Sequence, residues 1–110
     1  MPTVLIAAAA VSLFAAGATG PVGLPGVDSG AHIAQMRCAA CHAVGPQGAS
    51  PRLGAPPFGA IRMRYNSLSL ERELARISKQ GHYDMRPLAI NPDEAADLAA
   101  YIESLGPAAR

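Results

Sequence analysis

The sequence has no tryptophan, only two phenylalanines and only three tyrosines among its 110 residues. Half of it is apolar, but much of that share is alanine, which removes little surface from water when buried. A large core is therefore excluded, and a chain of this length supports one domain. A small domain so short of big side chains needs another source of stability, such as a disulfide, a metal or a bound cofactor. Charge of one sign is also lacking. A formal net charge of +1 offers no basic surface for nucleic acid. No segment alternates at period two, which argues against a sheet, and there is no internal repeat. Cysteine is scarce too, with just two residues, both inside "MRCAACHAVGP" at 36–46.

What is present at the start is an uncharged run, "TVLIAAAAVSLFAAGA", from Thr3 to Ala18. It is short for a bilayer span and fits the apolar part of a secretory signal. Ala16-Gly17-Ala18 supplies the small-x-small pattern for cleavage after Ala18. No Lys or Arg precedes the run, so a retained N-terminal anchor is the alternative expectation. Either route delivers the protein to an oxidising compartment such as the bacterial periplasm. The expected organisation is a signal over 1–18, a flexible lead-in over 19–27, a domain over 28–106 and a tail over 107–110.

Helical signals fill the domain. Asp28 or Ser29 is expected to cap a short helix from about Gly30 to Arg37, with Gly30, Ile33 and Ala34 on one face. A loop rich in glycine and proline follows, then a short helix over Phe58–Tyr65. Leu70, Leu74 and Ile77 at i, i+4 and i+7 predict a helix starting near Ser67 or Ser69 and ending at Gly81. "HYDMRPLAI" reads as extended, because Pro87 disfavours helix at Arg86. Asn91 then caps a final helix with Pro92 in its first turn, and Asp93 and Glu94 complement its dipole. Ala95, Leu98, Ile102 and Leu105 form its apolar stripe, and Gly106-Pro107 ends it. The expected fold is all-α, with three to five short helices and long loops.

Four chemistries compete for Cys38-Ala39-Ala40-Cys41-His42. A disulfide-exchange site needs a βαβ setting, which is missing. A zinc site needs a fourth ligand and places two ligands on adjacent residues. A structural disulfide leaves His42 unexplained. Covalent haem attachment uses every residue of the pattern. Two thiols one helical turn apart match the two vinyl groups, and the following imidazole lies under the iron. This five-residue pattern is the c-type haem signature. The ring would then serve as the missing core, so the haem-free chain is expected to be largely unfolded.

From about Asp28 to Leu105 the chain resembles the class I c-type cytochromes. The residues that carry the likeness are Gly30 eight positions before Cys38, the attachment motif, "GAPPFGAI", and "GHYDMRPLAINPDEAADLAAYIESL". Two departures stand out: Ala34 replaces a common aromatic, and Arg86 separates Met85 from Pro87. The resemblance implies a small cytochrome c-like fold around one covalent haem c with its iron. It also implies thioethers at Cys38 and Cys41, His42 as proximal ligand, and a proline carbonyl behind His42 from either Pro56 or Pro57. The second axial ligand is then Met85 on the extended loop. Among the other candidates, Met36 sits on the attachment side, Met63 and His32 read as ordinary helix residues, and His82 is the rival because imidazole also binds iron. Thioether ligation would raise the reduction potential.

The implied activity is one-electron transfer between redox partner proteins, not catalysis. The alternatives are a haem subunit of a dehydrogenase or oxidase complex, or a gas-binding or catalytic haem protein if the methionine is labile. Phe58, Ile61, Leu68, Leu70, Leu74, Ile77 and Leu88 are expected to wall the ring, and Arg52, Arg62, Arg64 and Tyr65 to reach its propionates. Seven basic residues against three acids from Arg52 to Arg86 suggest steering of an acidic redox partner. Membrane contact is expected only if the N-terminal segment is retained.

Overall fold

Four helices and no strand make up the described residues of the computed structural model, which are 2–10, 26–83 and 85–106. Residues 2–10 are exposed and carry no helix. The expected cleavage point after Ala18, most of the lead-in and the tail lie outside the described residues. No helix among the described residues is long and apolar enough to cross a membrane.

Helix α1 spans Val27–Arg37 and so begins a turn earlier than Asp28 or Ser29 would allow as a cap. Gly26 precedes it in a left-handed conformation, φ 86°, with no side-chain cap. The Gly30 N–H donates to the Gly26 carbonyl at 2.7 Å, closing the first turn. Asp28 then acts as a first-turn charge. Helix α2 covers Phe58–Arg64, with Tyr65 already extended. Helix α3 runs from Ser67 to Gln80 behind a capping box in which Asn66 Oδ1 accepts from Ser69 N and Ser69 Oγ accepts from Asn66 N. Helix α4 spans Pro92–Ser104, and Asn91 and Glu94 form the same reciprocal box.

Helix α4 is the hub, in contact with α1, α3 and α2. Its crossing with α1 depends on Gly30. A Cβ there would stand 2.0 Å from the Asp97 carbonyl oxygen, where real Cβ atoms do not come within 3.0 Å. The core joins Ile33 and Ala34 of α1 to Ala95, Leu98, Ala99 and Ile102 of α4, with Leu70 and Leu74 of α3 beside them. Leu98 and Ile102 are each 1% exposed. Burying each contributes about 1.5–3 kcal/mol. The crossed helices thus form a scaffold from which two loops, 38–57 and 81–91, face each other.

Candidate haem site

The attachment motif begins where α1 ends. The His42 N–H donates to the Cys38 carbonyl at 2.9 Å, and the Cys41 N–H to the same oxygen at 3.2 Å. One further helical turn is closed, and both thiols line the same cavity. They are free, with no disulfide between them. Burial pushes the Cys38 thiol up to about 11, against the opposing pull of the nearby Arg37 charge. Such a site is apolar, as a macrocycle edge requires.

His42 is 7% exposed and is the one buried polar residue among those described. Its Nδ1 lies 2.7 Å from the Pro56 carbonyl. A carbonyl only accepts, so Nδ1 carries a proton, and in the neutral ring Nε2 is the nitrogen left with a lone pair. Pro57, the other sequence candidate, is not the partner. It stands at the N-cap of α2, and its carbonyl accepts from Ala60 N at 2.9 Å and Ile61 N at 3.1 Å. Around this contact the loop folds back on the motif. Phe58 N donates to Ala43 O at 2.9 Å, Arg52 N to Cys41 O at 3.1 Å, and Ala43 N to Ser50 Oγ at 3.0 Å. From α4, the Tyr101 hydroxyl donates to Val44 O at 2.5 Å.

The cavity in front of His42 measures about 770 Å³, within the range of about 300–1,000 Å³ for cofactor sites. Phe58, Ile61, Leu70, Leu74, Ile77 and Leu88 wall it as the sequence suggests. Leu68 does not; it is 59% exposed and lines a separate small groove with Pro92 and Ala95. Leu98 and Ile102 line the cavity from α4. The sequence shows them as a buried stripe but not as part of this wall. Arg52, Arg64 and Tyr65 line it, whereas Arg62 turns away, its Nε 3.0 Å from the Glu103 carbonyl and 3.3 Å from its Oε2.

The loop after α3 lines the same cavity as Cys38 and Cys41. Gly81 ends that helix at φ 68°, and a Cβ there would fall 2.3 Å from the Met85 carbonyl. Met85 N donates to His82 O at 2.8 Å, and both residues line the cavity. Two side chains fix the far end of the loop. Ser78 Oγ donates to Ile90 O at 2.8 Å and accepts from Ile90 N at 3.0 Å. Arg37, next to Cys38, donates to Ala89 O at 3.0 Å and lies 3.4 Å from Glu94. Sequence reasoning missed Ser78. Its signal was a small polar residue four places after Leu74, on the buried face.

The basic excess around the site is smaller than a count along the chain suggests. Arg62 is held by Glu103, and Arg76 by Glu73, with Nε 3.1 Å from Oε2. The hydrogen bond from Arg76 in turn keeps the Glu73 carboxyl below its usual range. Among the described residues, no group of three or more His, Cys, Asp or Glu side chains could hold a bare metal ion. The cavity instead gathers two thiols, two imidazoles and a thioether among apolar side chains.

That combination of helices crossing at a glycine, a thiol pair on one turn, a carbonyl-held imidazole and an apolar slot defines a protein that holds a planar metallo-cofactor. The cytochrome c family model matches residues 27–106. Cytochrome c-552 of Bradyrhizobium diazoefficiens is 35% identical over 78 residues, which cover 71% of this chain and 73% of that protein. No solved structure matches. The chain belongs to the cytochrome c family, as a class I c-type cytochrome. Its cofactor is covalently bound haem c with its iron, and its family function is haem-based electron transfer. The residues present fit that group: two unpaired thiols on one edge of the cavity, an imidazole with its lone pair free, and apolar walls.

Proposed function

We propose that this protein is a single-electron carrier whose haem is held by thioethers at Cys38 and Cys41, with His42 and Met85 as axial ligands. The observation that supports it best is the His42 Nδ1 contact to Pro56 O at 2.7 Å. It orients the ring and makes its remaining nitrogen the better donor. When bound, haem c would supply reversible one-electron chemistry. The rest is the work of the chain. Cys38 and Cys41 would hold one edge of the ring, and Met85 would be offered from the 81–91 loop, which lines the same cavity. Phe58, Leu70, Leu74, Leu98 and Ile102 exclude water, and low dielectric disfavours the more highly charged oxidised state. Arg52 and Arg64 line the cavity and would meet the propionates. With both ligands bound, the iron would have no open position for substrate, which suits a carrier.

We place its work after export, in the periplasm, with other redox proteins as partners. A permanent place in an oxidoreductase complex uses the same chemistry and is told apart by co-purification. The test of the ligand set is the near-infrared spectrum of the oxidised protein. A sulfur-to-iron charge-transfer band is expected, and it disappears in Met85→Leu. Absence of that band from the unmodified protein would remove Met85 from the site.

A further inference from the structure

The distal loop presents two ligating side chains to the cavity, and the described function uses one. His82 lines the cavity together with Met85, from the same turn. Its ring is parallel to that of His42 within 7°, with centroids 6.1 Å apart. A metal ion bonded at about 2 Å to one nitrogen of each of two imidazoles sets their centres at about this separation. Only Nε2 of His42 is left for such a bond, because Nδ1 is engaged by Pro56.

A second observation comes from the backbone. Tyr83, between the two candidates, adopts φ 50°, the left-handed region, and is the one non-glycine residue among those described to do so. That conformation is strained for a residue that carries a Cβ. The Tyr83 side chain is 100% exposed, so its own burial does not offset the cost. What the strained residue accomplishes is a reversal of the chain. It turns His82 and Met85 toward the same cavity, where an unstrained extended chain would carry them apart. Gly81, pressed against the Met85 carbonyl, keeps the turn tight.

We propose that His82 is a built-in reserve ligand, which takes the sixth position on the haem iron when the bond to Met85 is lost. The inference rests on the reading of His42 and Met85 as the resting ligands. Its consequence is functional. A chain whose methionine bond breaks remains six-coordinate and closed to small ligands, rather than becoming a gas-binding or peroxide-reactive haem. Imidazole is a strong iron ligand, and the protein retains electron transfer at a lower potential.

The experiment uses the haem-bound protein and four forms: unmodified, Met85→Leu, His82→Ala and the double variant. Leucine keeps the volume of methionine, and mass spectrometry confirms haem attachment in each. The readouts are the ferric spin state by electron paramagnetic resonance, the charge-transfer band, and carbon monoxide binding by the reduced form. The expected result is that Met85→Leu loses the band, stays low-spin with two imidazole ligands and does not bind carbon monoxide. The double variant becomes high-spin and binds it. A Met85→Leu protein as high-spin and as open to carbon monoxide as the double variant overturns the proposal. So does a double variant that stays low-spin, since another group then closes the iron. An unmodified protein without the band, unchanged by Met85→Leu and made high-spin by His82→Ala, refutes Met85 as resting ligand. It leaves His82 as an iron ligand in place, so the two failures are distinguishable.

Discussion

The Tyr101 hydroxyl donates to the Val44 carbonyl, two residues after His42, at 2.5 Å. A residue on the last helix thus holds down the loop that leaves the attachment motif. Removing one such hydrogen bond costs about 0.5–1.5 kcal/mol. Tyr101→Phe is therefore expected to lower the denaturant midpoint by a corresponding amount at neutral pH, with the haem spectrum unchanged. Burial also raises the ionisation of this phenol above its usual value of 10.0. The sign follows: the folded state holds the proton more tightly than the unfolded chain, so the contribution is present below about pH 10 and is lost as pH rises through the folded value. The stability gap between the unmodified and Tyr101→Phe proteins should then narrow in melts recorded above pH 10. Residue chemistry of this kind was half legible. The tyrosine beside the apolar stripe could be seen in the sequence, but its partner, 57 positions away in the chain, could not.

At the scale of elements, the starts of α3 and α4 are written in local sequence. Asn91, Pro92 and Glu94 act within one turn, and so do Asn66 and Ser69, which is why α3 and α4 begin where their sequences suggest. Helix α1 differs because its start answers to a distant element. Gly26 lies against Asp97 of α4, a Cβ at that position falling 2.7 Å from the Asp97 Oδ1. No cap residue at 28 or 29 could report that contact. The same holds for the latch between α3 and the distal loop. Ser78 satisfies both the N–H and the carbonyl of the buried Ile90. Ser78→Ala leaves those groups without it, a loss of about 1–3 kcal/mol. We expect a lower melting temperature together with a weaker charge-transfer band and measurable carbon monoxide binding. Ser78→Thr, which keeps the hydroxyl, should restore both spectroscopic readouts. A merely structural serine would change the melting temperature and leave them alone.

For the whole molecule, the cavity and the core are one problem. The protein part of the core is built from small helices whose most buried large side chains are Leu98 and Ile102. Those same residues line a cavity of about 770 Å³. Without its ring the chain would leave Phe58, Leu70, Leu74 and Ile77 facing an empty or wet space, and a domain of this size has little stability in reserve. The haem-free Cys38→Ala/Cys41→Ala chain is expected to show little helical circular dichroism and no cooperative thermal transition. A cooperative transition in that chain would show that the helices carry the fold themselves.

What the sequence determined alone was the chemistry that depends on neighbours along the chain: the five-residue attachment pattern, the cap of α4, the start and glycine-terminated end of α3, and apolar stripes at helical spacing. These are short-range, because a helical turn or a capping box closes within three or four residues. The tertiary structure decided everything that joins distant segments. It selected Pro56 over Pro57, since the α2 backbone uses the Pro57 carbonyl. It turned Arg62 to Glu103, placed Leu68 outside the cavity and brought His82 to face His42. Those choices depend on directions of approach between loops, set by how α1 and α3 cross α4, and no local pattern encodes such an angle.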